Sequence, residues 1–273
     1  MRNNVDTPLR ILEFQLAAGI DIALSDTPID RFAAIIAGNQ DTRARAASPE
    51  PAERTAAPAA TIGVTQAAPL APDQAAMEAR RLAASAPDLE TLRALLEGFD
   101  GCALKSTASR LVFADGAPGA PVMIVGEAPG RDEDEIGRPF VGRAGQLLDK
   151  MLDAIGLDRT QVYIANTVPW RPPGNRTPTP QEMAICLPFI RRQIELAQPR
   201  ILLTMGAPAT QTLLLQKEGI LRLRGRWFNF DLGDHSIAAL ATLHPAYLLR
   251  QPSQKALAWR DLRALKGRLA RLA

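Results

Sequence analysis

A glycine-rich turn and two polar strand ends carry the residue types that could do chemistry in this chain. The turn Gly126-Glu127-Ala128-Pro129-Gly130 follows the apolar run 122–125, while Asn166 and His244 each close another apolar run. A carboxylate can orient water, an amide can read the edge of a planar ring, and an imidazole can donate to developing negative charge. Because the carboxyl ends of parallel strands meet at one edge of a sheet, we expect these groups to lie together.

Each segment also has an ordinary structural interpretation. Two glycines and a proline suit a tight turn without chemistry, Asn166 could cap the turn after it, and a single histidine is more often structural than catalytic. Phe140 stands between Pro139 and Gly142, where its ring could stack on a planar ligand or pack into the core. The acidic run 132–135 is expected to be a solvated loop.

Basic residues favour a polyanionic partner such as nucleic acid. The net charge is +3, and the basic excess is concentrated in residues 191–273. The stiff loop 172–176 (Pro-Pro-Gly-Asn-Arg) adds an exposed cation suited to a phosphate. The alternative is a solvated amphipathic helix, since five of the cations share one helical segment: Arg260, Arg263, Lys266, Arg268 and Arg271.

Strands and helices alternate along most of the chain. The pattern predicts an interrupted helix over 74–98, strands at 121–125, 161–166, 200–205 and 237–243, and helices at 142–156, 180–198, 207–217 and 252–271. Apolar strands separated by helices are typical of a parallel sheet covered on both faces. We therefore expect an α/β fold: a single three-layer domain with a central four-stranded parallel sheet flanked by helices.

The composition divides the chain into three parts. Residues 1–40 predict a small N-terminal helical element that could dock a protein partner, and residues 41–75 an Ala/Pro-rich flexible linker. Residues 76–273 form the α/β domain. Two cysteines give no disulfide framework, and no apolar run approaches a membrane span. A cytoplasmic protein without membrane contact is expected.

Four motifs give the chain a family resemblance, and their order and spacing cover roughly residues 99 to 268. They resemble those of uracil-DNA glycosylases, in the group often called family 4. The shared motifs are Gly126-Glu127-Ala128-Pro129-Gly130, Gly137-Arg138-Pro139-Phe140-Val141-Gly142, Asn166 with Arg171-Pro172-Pro173-Gly174-Asn175-Arg176, and His244-Pro245-Ala246-Tyr247-Leu248-Leu249-Arg250.

The resemblance implies a role for each site residue in flipping uracil out of DNA and cleaving its N-glycosidic bond. Phe140 would stack on uracil, and Asn166 would donate to O4 and accept from N3–H. His244 would donate toward O2, and Glu127 would orient the attacking water or stabilise the cationic sugar. Ala128 stands in the uracil pocket where the best-known family has a catalytic aspartate. DNA contacts are implied for Arg171, Asn175 and Arg176, and for Leu249 and Arg250, which would fill or brace the gap in the duplex.

One departure from family 4 concerns its metal. Such enzymes typically hold a [4Fe–4S] cluster on four cysteines. By register, Cys102 and Cys186 match the second and fourth, while Phe99 and Trp170 stand at the first and third. We therefore expect no cluster and no other cofactor, with the two aromatic residues packing in its place.

Taken together, the sequence predicts a monomeric DNA repair glycosylase of base excision repair, a hydrolase acting on uracil-containing DNA near the nucleoid. The alternative is a uracil- or damage-DNA-binding protein with little or no catalysis, associated with repair or replication. A nucleotide-binding protein is a third class, but no Gly-x-Gly-x-x-Gly or P-loop spacing is present.

Overall fold

The structure is a computed structural model that describes residues 72–272. The predicted N-terminal element (1–40) and residues 41–71 of the predicted linker lie outside this range. The last four linker residues, 72–75, instead belong to the first helix, α1, which spans Pro72–Ser85. A second helix, α2, spans Leu89–Gly98 after Asp88, whose side chain caps it by accepting from the Thr91 N–H at 2.7 Å. The predicted interrupted helix over 74–98 is confirmed.

A six-stranded sheet forms the centre of the described region, in the order β1-β3-β2-β4-β6-β5. The strands are β1 Asp115–Gly116, β2 Val122–Gly126, β3 Val162–Asn166, β4 Ile201–Met205, β5 Trp227–Asp231 and β6 Ser236–Thr242. The four central strands are parallel, and they are the four that the sequence predicts.

The expected count of four strands is wrong, because an antiparallel strand borders the sheet on each side. β1 has only two residues, too few for a periodic pattern. β5 reads Trp-Phe-Asn-Phe-Asp and is half exposed, so it lacks the continuous apolar run that marks the buried strands. It pairs with β6 as a hairpin.

Helices cover both faces of this sheet. Beyond α2 they are α3 Arg131–Ile136, α4 Arg143–Asp153, α5 Pro180–Ala197, α6 Ala207–Leu214, α7 Ile220–Leu223, α8 Pro245–Arg250 and α9 Lys255–Leu269. Within residues 72–272, the helices are all too short or too polar to cross a bilayer.

The alternation of side chains along β2 explains the three layers. Val122 and Ile124 point to the face covered by α4 and α9, while Met123 and Val125 point to the face covered by α5 and α6. All four are fully buried. Since neighbouring strands repeat this division, each face supplies its own hydrophobic core, and the predicted three-layer α/β architecture is confirmed.

A third apolar cluster lies where α1 and α2 pack against α5. Its members include Leu92, Leu96 and Phe189. The four positions aligned with the cysteine ligands of the [4Fe–4S] cluster also belong to this apolar cluster: Phe99, Cys102, Trp170 and Cys186. This cluster anchors the segment that leads into the sheet and is distinct from the pocket described next.

Candidate active site

Strand register brings the polar strand ends together. Gly126 at the end of β2 pairs with Asn166 at the end of β3. On the other side of β2, β4 ends at Met205, which pairs with Thr242 of β6, and the Gly206 N–H donates to the Thr242 carbonyl at 2.9 Å. His244 follows two residues later. The expected convergence at the carboxyl edge of the sheet is therefore observed.

An open pocket of about 550 Å³ lies at this edge. Its volume is in the range of small-molecule sites. Of the residues predicted from sequence, eight line it: Glu127, Ala128, Phe140, Asn166, Asn175, Arg176, His244 and Arg250. The lining also includes residues for which the sequence predicted no role in the site, among them Glu133, Thr177 and Tyr247.

The Glu127 turn is tied to the neighbouring strand by its backbone. The Glu127 carbonyl accepts from the Val168 N–H at 3.1 Å and from the Thr167 hydroxyl at 2.6 Å. Burial raises the pKa of the Glu127 carboxyl above its ordinary value, and the polar Thr177 side chain opposes part of that rise. A half-buried carboxylate held in this way can orient a water molecule.

Asn166 is 5% exposed and turns its amide into the pocket. A Cβ placed on Gly126 would lie 2.5 Å from Asn166 Oδ1 and 2.6 Å from Phe140 Cζ. Only glycine at position 126 therefore lets the amide and the aromatic ring share this corner. The interpretation of Asn166 as a turn cap is not supported, since no backbone N–H within residues 72–272 donates to its side chain.

Phe140 occupies the left-handed region with φ 54°, which is uncommon for a bulky residue. Its backbone lies so close to Gly145 that a Cβ there would overlap the Phe140 carbonyl. Its ring is buried yet lines the pocket, and it stacks on the His244 imidazole with centroids 5.4 Å apart. The ring therefore belongs both to the core and to the pocket wall, while its stacking on a planar ligand stays a prediction.

His244 is held in one tautomer by the helix that follows it. Its Nδ1 accepts from the Ala246 N–H at 3.1 Å and so caps α8, which leaves the proton on Nε2. Burial, together with the charge of Arg250, lowers the pKa of His244 to about 4. At neutral pH the side chain is an uncharged imidazole with one N–H to donate.

Two arginines of the loop after β3 already have hydrogen-bond partners within the protein. Arg171 donates to Asn175 Oδ1 at 2.7 Å and does not line the pocket. Arg176 lines the pocket, yet its guanidinium makes two bonds to Glu182, at 2.7 and 2.8 Å. Glu182 also accepts from the Thr179 N–H at 2.7 Å, which fixes the start of α5.

The segment expected to enter the duplex lies at the pocket rim. Arg250 lines the pocket, and Leu249 beside it is 37% exposed although it is apolar. An exposed leucine next to a cation at the mouth of a pocket suits a wedge residue.

The prediction that the acidic run 132–135 is a solvated loop is wrong. Residues 131–136 form the helix α3, and its Glu133 and Asp134 are buried. Glu133 accepts from the Gly130 N–H at 3.0 Å, and Asp134 accepts from the Ser109 N–H at 2.8 Å. The spacing of Gly130 and Glu133, three residues apart ahead of a helix, is the signal that could have revealed a cap.

The basic residues of the C-terminal helix stay outside the pocket. Arg260, Arg263, Lys266 and Arg268 lie on α9 and are exposed, and Arg271 follows its end. Arg268 lies over the Trp227 ring at 5.3 Å from its centroid. These positions leave both interpretations open, a phosphate-binding face and a solvated helix.

The four residues aligned with the cysteine ligands of the [4Fe–4S] cluster are buried and pack against other apolar side chains. The Sγ atoms of Cys102 and Cys186 are 3.9 Å apart, and both thiols are buried. The Phe99 ring packs 5.2 Å from that of Phe189, and Trp170 is 2% exposed. The hydrogen bond with Cys102, together with burial, raises the pKa of the Cys186 thiol.

Comparison with known proteins identifies similar sequences. Residues 113–263 match the family model described as the uracil DNA glycosylase superfamily. The chain is 37% identical to a type-4 uracil-DNA glycosylase of Pyrobaculum aerophilum over 184 residues, which are 66% of this chain and 94% of the relative. It is 41% identical to a type-4 uracil-DNA glycosylase of Thermotoga maritima over 155 residues, or 56% and 79% of the two chains. A third relative of the same description, from Archaeoglobus fulgidus, is 40% identical over 155 residues, or 55% and 78%.

Proposed function

This chain belongs to the uracil DNA glycosylase superfamily, and from that membership we propose a DNA repair enzyme that flips uracil out of DNA and hydrolyses its N-glycosidic bond. It is a uracil-DNA glycosylase of base excision repair. The observation that carries the proposal is the convergence of Glu127, Phe140, Asn166 and His244 on one pocket. That pocket unites the groups needed to recognise uracil with those needed to release it. A binding protein without catalysis would need the groups that recognise uracil, but it would not need those that release it.

Base recognition is assigned to Phe140 and Asn166. The phenyl ring gives the flipped base a flat surface, and the amide offers a donor to uracil O4 and an acceptor to N3–H. Cytosine presents the opposite pattern at these two positions, so it would leave buried polar groups unpaired. Ala128 contributes a small side chain beside the base, where a larger one would narrow the pocket.

Bond cleavage is assigned to His244 and Glu127. As the bond from the sugar to N1 breaks, negative charge develops on the uracil ring, and the Nε2–H of His244 donates toward O2 to stabilise it. Because the imidazole is uncharged, it acts as a fixed hydrogen-bond donor. Glu127 orients the water that attacks the sugar carbon, or stabilises the positive charge that develops there.

DNA binding is assigned to the loop after β3 and to the end of α8. Asn175, Arg176 and Arg171 face the backbone beside the flipped nucleotide, and Leu249 with Arg250 fills or braces the space that it leaves. Arg176 must exchange one bond to Glu182 for a phosphate, or serve through its remaining donors. We expect a monomer that works in the cytoplasm at the nucleoid, with residues 1–40 available for a protein partner.

The direct test uses a uracil-containing oligonucleotide that is treated with the protein and then with alkali. The expected result is strand scission at the uracil position and none on a matched cytosine oligonucleotide. Salt-sensitive binding of the uracil oligonucleotide without any base release would instead favour the binding protein.

The residues present do not fit a [4Fe–4S] cluster. Four thiolates are needed, whereas two positions hold buried aromatic rings and the two thiols are hydrogen-bonded to each other. Among residues 72–272, no group of three or more His, Cys, Asp or Glu side chains is arranged to hold a metal ion. No step of the proposed reaction depends on a cluster.

We therefore predict that the purified protein is colourless and contains no iron. The measurement is elemental analysis with an absorption spectrum, on protein made in iron-supplemented cells. Prolonged dialysis against a chelator should leave the unfolding temperature and uracil release unchanged. A brown protein that absorbs near 400 nm and contains iron would contradict this prediction.

A further inference from the structure

The segment 139–142, which carries Phe140, is held from two sides by buried or half-buried charges. A carboxylate binds its N–H groups and a guanidinium binds its carbonyls. Both charged side chains come from outside the segment, and neither takes part in the proposed base recognition, bond cleavage or DNA binding. Since this inference concerns how the pocket is held in shape, it rests on the proposed function.

Glu133 holds the amide side. Its Oε1 accepts from the N–H groups of Val141 and Gly142, each at 2.9 Å, and its Oε2 accepts from Gly130 N–H at 3.0 Å. One buried carboxylate thus joins the end of the Glu127 turn to the residues that follow Phe140. Bonds from N–H groups to a carboxylate are stronger than those to a neutral acceptor.

Arg159 holds the carbonyl side. Its guanidinium donates to the Pro139 carbonyl at 3.2 Å and, through Nη2, to the Phe140 carbonyl. Two carboxylates fix the guanidinium in turn: Asp115 Oδ2 lies 2.6 Å from Nη1, and Asp149 Oδ1 lies 2.7 Å from Nε. The planar fork of arginine suits several simultaneous bonds of this kind, whereas lysine has no such geometry.

The backbone of Phe140 explains why such support is needed. A phenylalanine at φ 54° is strained, and it would relax to the right-handed or extended region if its neighbours allowed it. That relaxation would rotate the ring away from the His244 imidazole, on which it is stacked. Bonds to the carbonyls at 139 and 140 and to the N–H groups at 141 and 142 hold the peptide units on both sides of the strained residue.

We propose that Glu133 and Arg159 are positioning residues that keep Phe140 in its left-handed conformation, so that its ring is ready to stack on the flipped base. Neither side chain needs to touch the base to do this. Their effect on base release passes through the Phe140 ring.

The main test is Arg159→Gln, with Arg192→Gln as the matched control. Arg192 is also a half-buried arginine that binds a distant backbone carbonyl, that of Ala86, and pairs with a carboxylate, but it lies on α5 away from the pocket. Arg159→Gln should slow single-turnover uracil release about 100-fold, as expected when a positioning contact is lost. Arg192→Gln should release uracil at the wild-type rate even if it unfolds at a lower temperature.

A double-mutant cycle identifies the route of the effect. In a Phe140→Ala background, Arg159→Gln should slow release by less than about threefold, because the ring that it positions is already absent. Glu133→Gln, which leaves one oxygen for three N–H donors, should give an intermediate loss of about tenfold in the wild-type background. Its control is Asp88→Asn, which weakens a carboxylate cap of the same kind at α2.

A second readout does not need activity. The chain has two histidines, and only His244 stacks on Phe140, so its ring proton resonances report on the phenyl ring while His235, in the β5–β6 hairpin, is an internal reference. In Arg159→Gln the His244 resonances should move toward their position in Phe140→Ala, and those of His235 should not move.

The outcomes separate the two proposals. If Arg159→Gln leaves the His244 resonances and the release rate as in wild type, the positioning inference is overturned. If wild-type protein releases no uracil, the proposed function fails, and the resonance comparison still decides whether Arg159 and Glu133 hold the ring.

Discussion

Asn166→Ala should lower uracil release by about 10⁴-fold, because a site built to hydrogen-bond one base loses both of the bonds that select it. The amide stands at the end of β3 in a corner that Gly126 leaves open, and it is 5% exposed. A flipped uracil in this corner has been stripped of water. Without the amide, its O4 and N3–H would stay unpaired in the pocket. Single-turnover release from a uracil oligonucleotide is the measurement.

Asn166→Asp is the matched control for this variant. It keeps the size of the side chain but presents acceptors only, so uracil O4 would face an acceptor while N3–H would keep its partner. We expect release at least as slow as in Asn166→Ala, with little change in unfolding temperature. Near wild-type release by the aspartate variant would show that the side chain fills space and does not select the base.

The second large effect is expected for His244. His244→Ala should slow release by roughly 10²- to 10³-fold, the usual effect of removing one oriented donor from a site of developing negative charge. Substrate binding should change far less, since the bond strengthens only as charge moves onto O2. His244→Gln, whose amide can donate from a similar position, is the control and should retain more activity than the alanine variant.

The pH dependence of the reaction separates His244 from Glu127. With its pKa lowered to about 4, His244 stays neutral as the pH falls from 7 to 5. Its protonation therefore cannot lower the rate of uracil release in that interval. Glu127, whose pKa is raised by burial, takes up a proton at a higher pH than an ordinary glutamate. We therefore assign any fall in the rate of uracil release on acidification from pH 7 to Glu127. This fall should persist in His244→Gln and disappear in Glu127→Gln.

The free energy of unfolding should also depend on pH through His244. The lowered pKa means that the folded state resists protonation of His244, whereas the unfolded chain takes up that proton near pH 6.5. Its contribution to stability is present above about pH 6.5 and is lost as the pH falls toward about 4. Unfolding by urea at pH 7 and pH 5 would measure this loss, which His244→Gln should abolish.

The sequence predicts the central sheet because its four parallel strands are buried on both faces. Each is a short, largely apolar run, and a polar residue at or just after the end of three of them (Glu127, Asn166 and His244) marks the edge of the sheet. This rule indicates Asn166 and His244 as candidate site residues, while their individual roles are implied by the family resemblance. The edge strands β1 and β5 do not obey it, since one is too short and the other is half exposed.

The supporting residues could not be predicted in the same way. Glu133 lies in a run of four acidic residues, and although its spacing from Gly130 could indicate a helix cap, only the folded chain shows its bonds to the Val141 and Gly142 N–H groups. Arg159 is nineteen positions from Phe140, and nothing local to either residue indicates their contact. A charge in a loop is normally a solvated charge, so the sequence favours the wrong interpretation unless tertiary contacts are known.

The cap that His244 provides to α8 has a consequence for the range of bases removed. With Nδ1 occupied by a helix end, the uncharged imidazole has only its Nε2 hydrogen to offer and no second one. We therefore expect the departing ring to leave as an anion, so that its own acidity sets the rate at which it is released. Electron-poor pyrimidines that fit the pocket should leave faster than uracil does, while electron-rich ones should stay attached to the sugar.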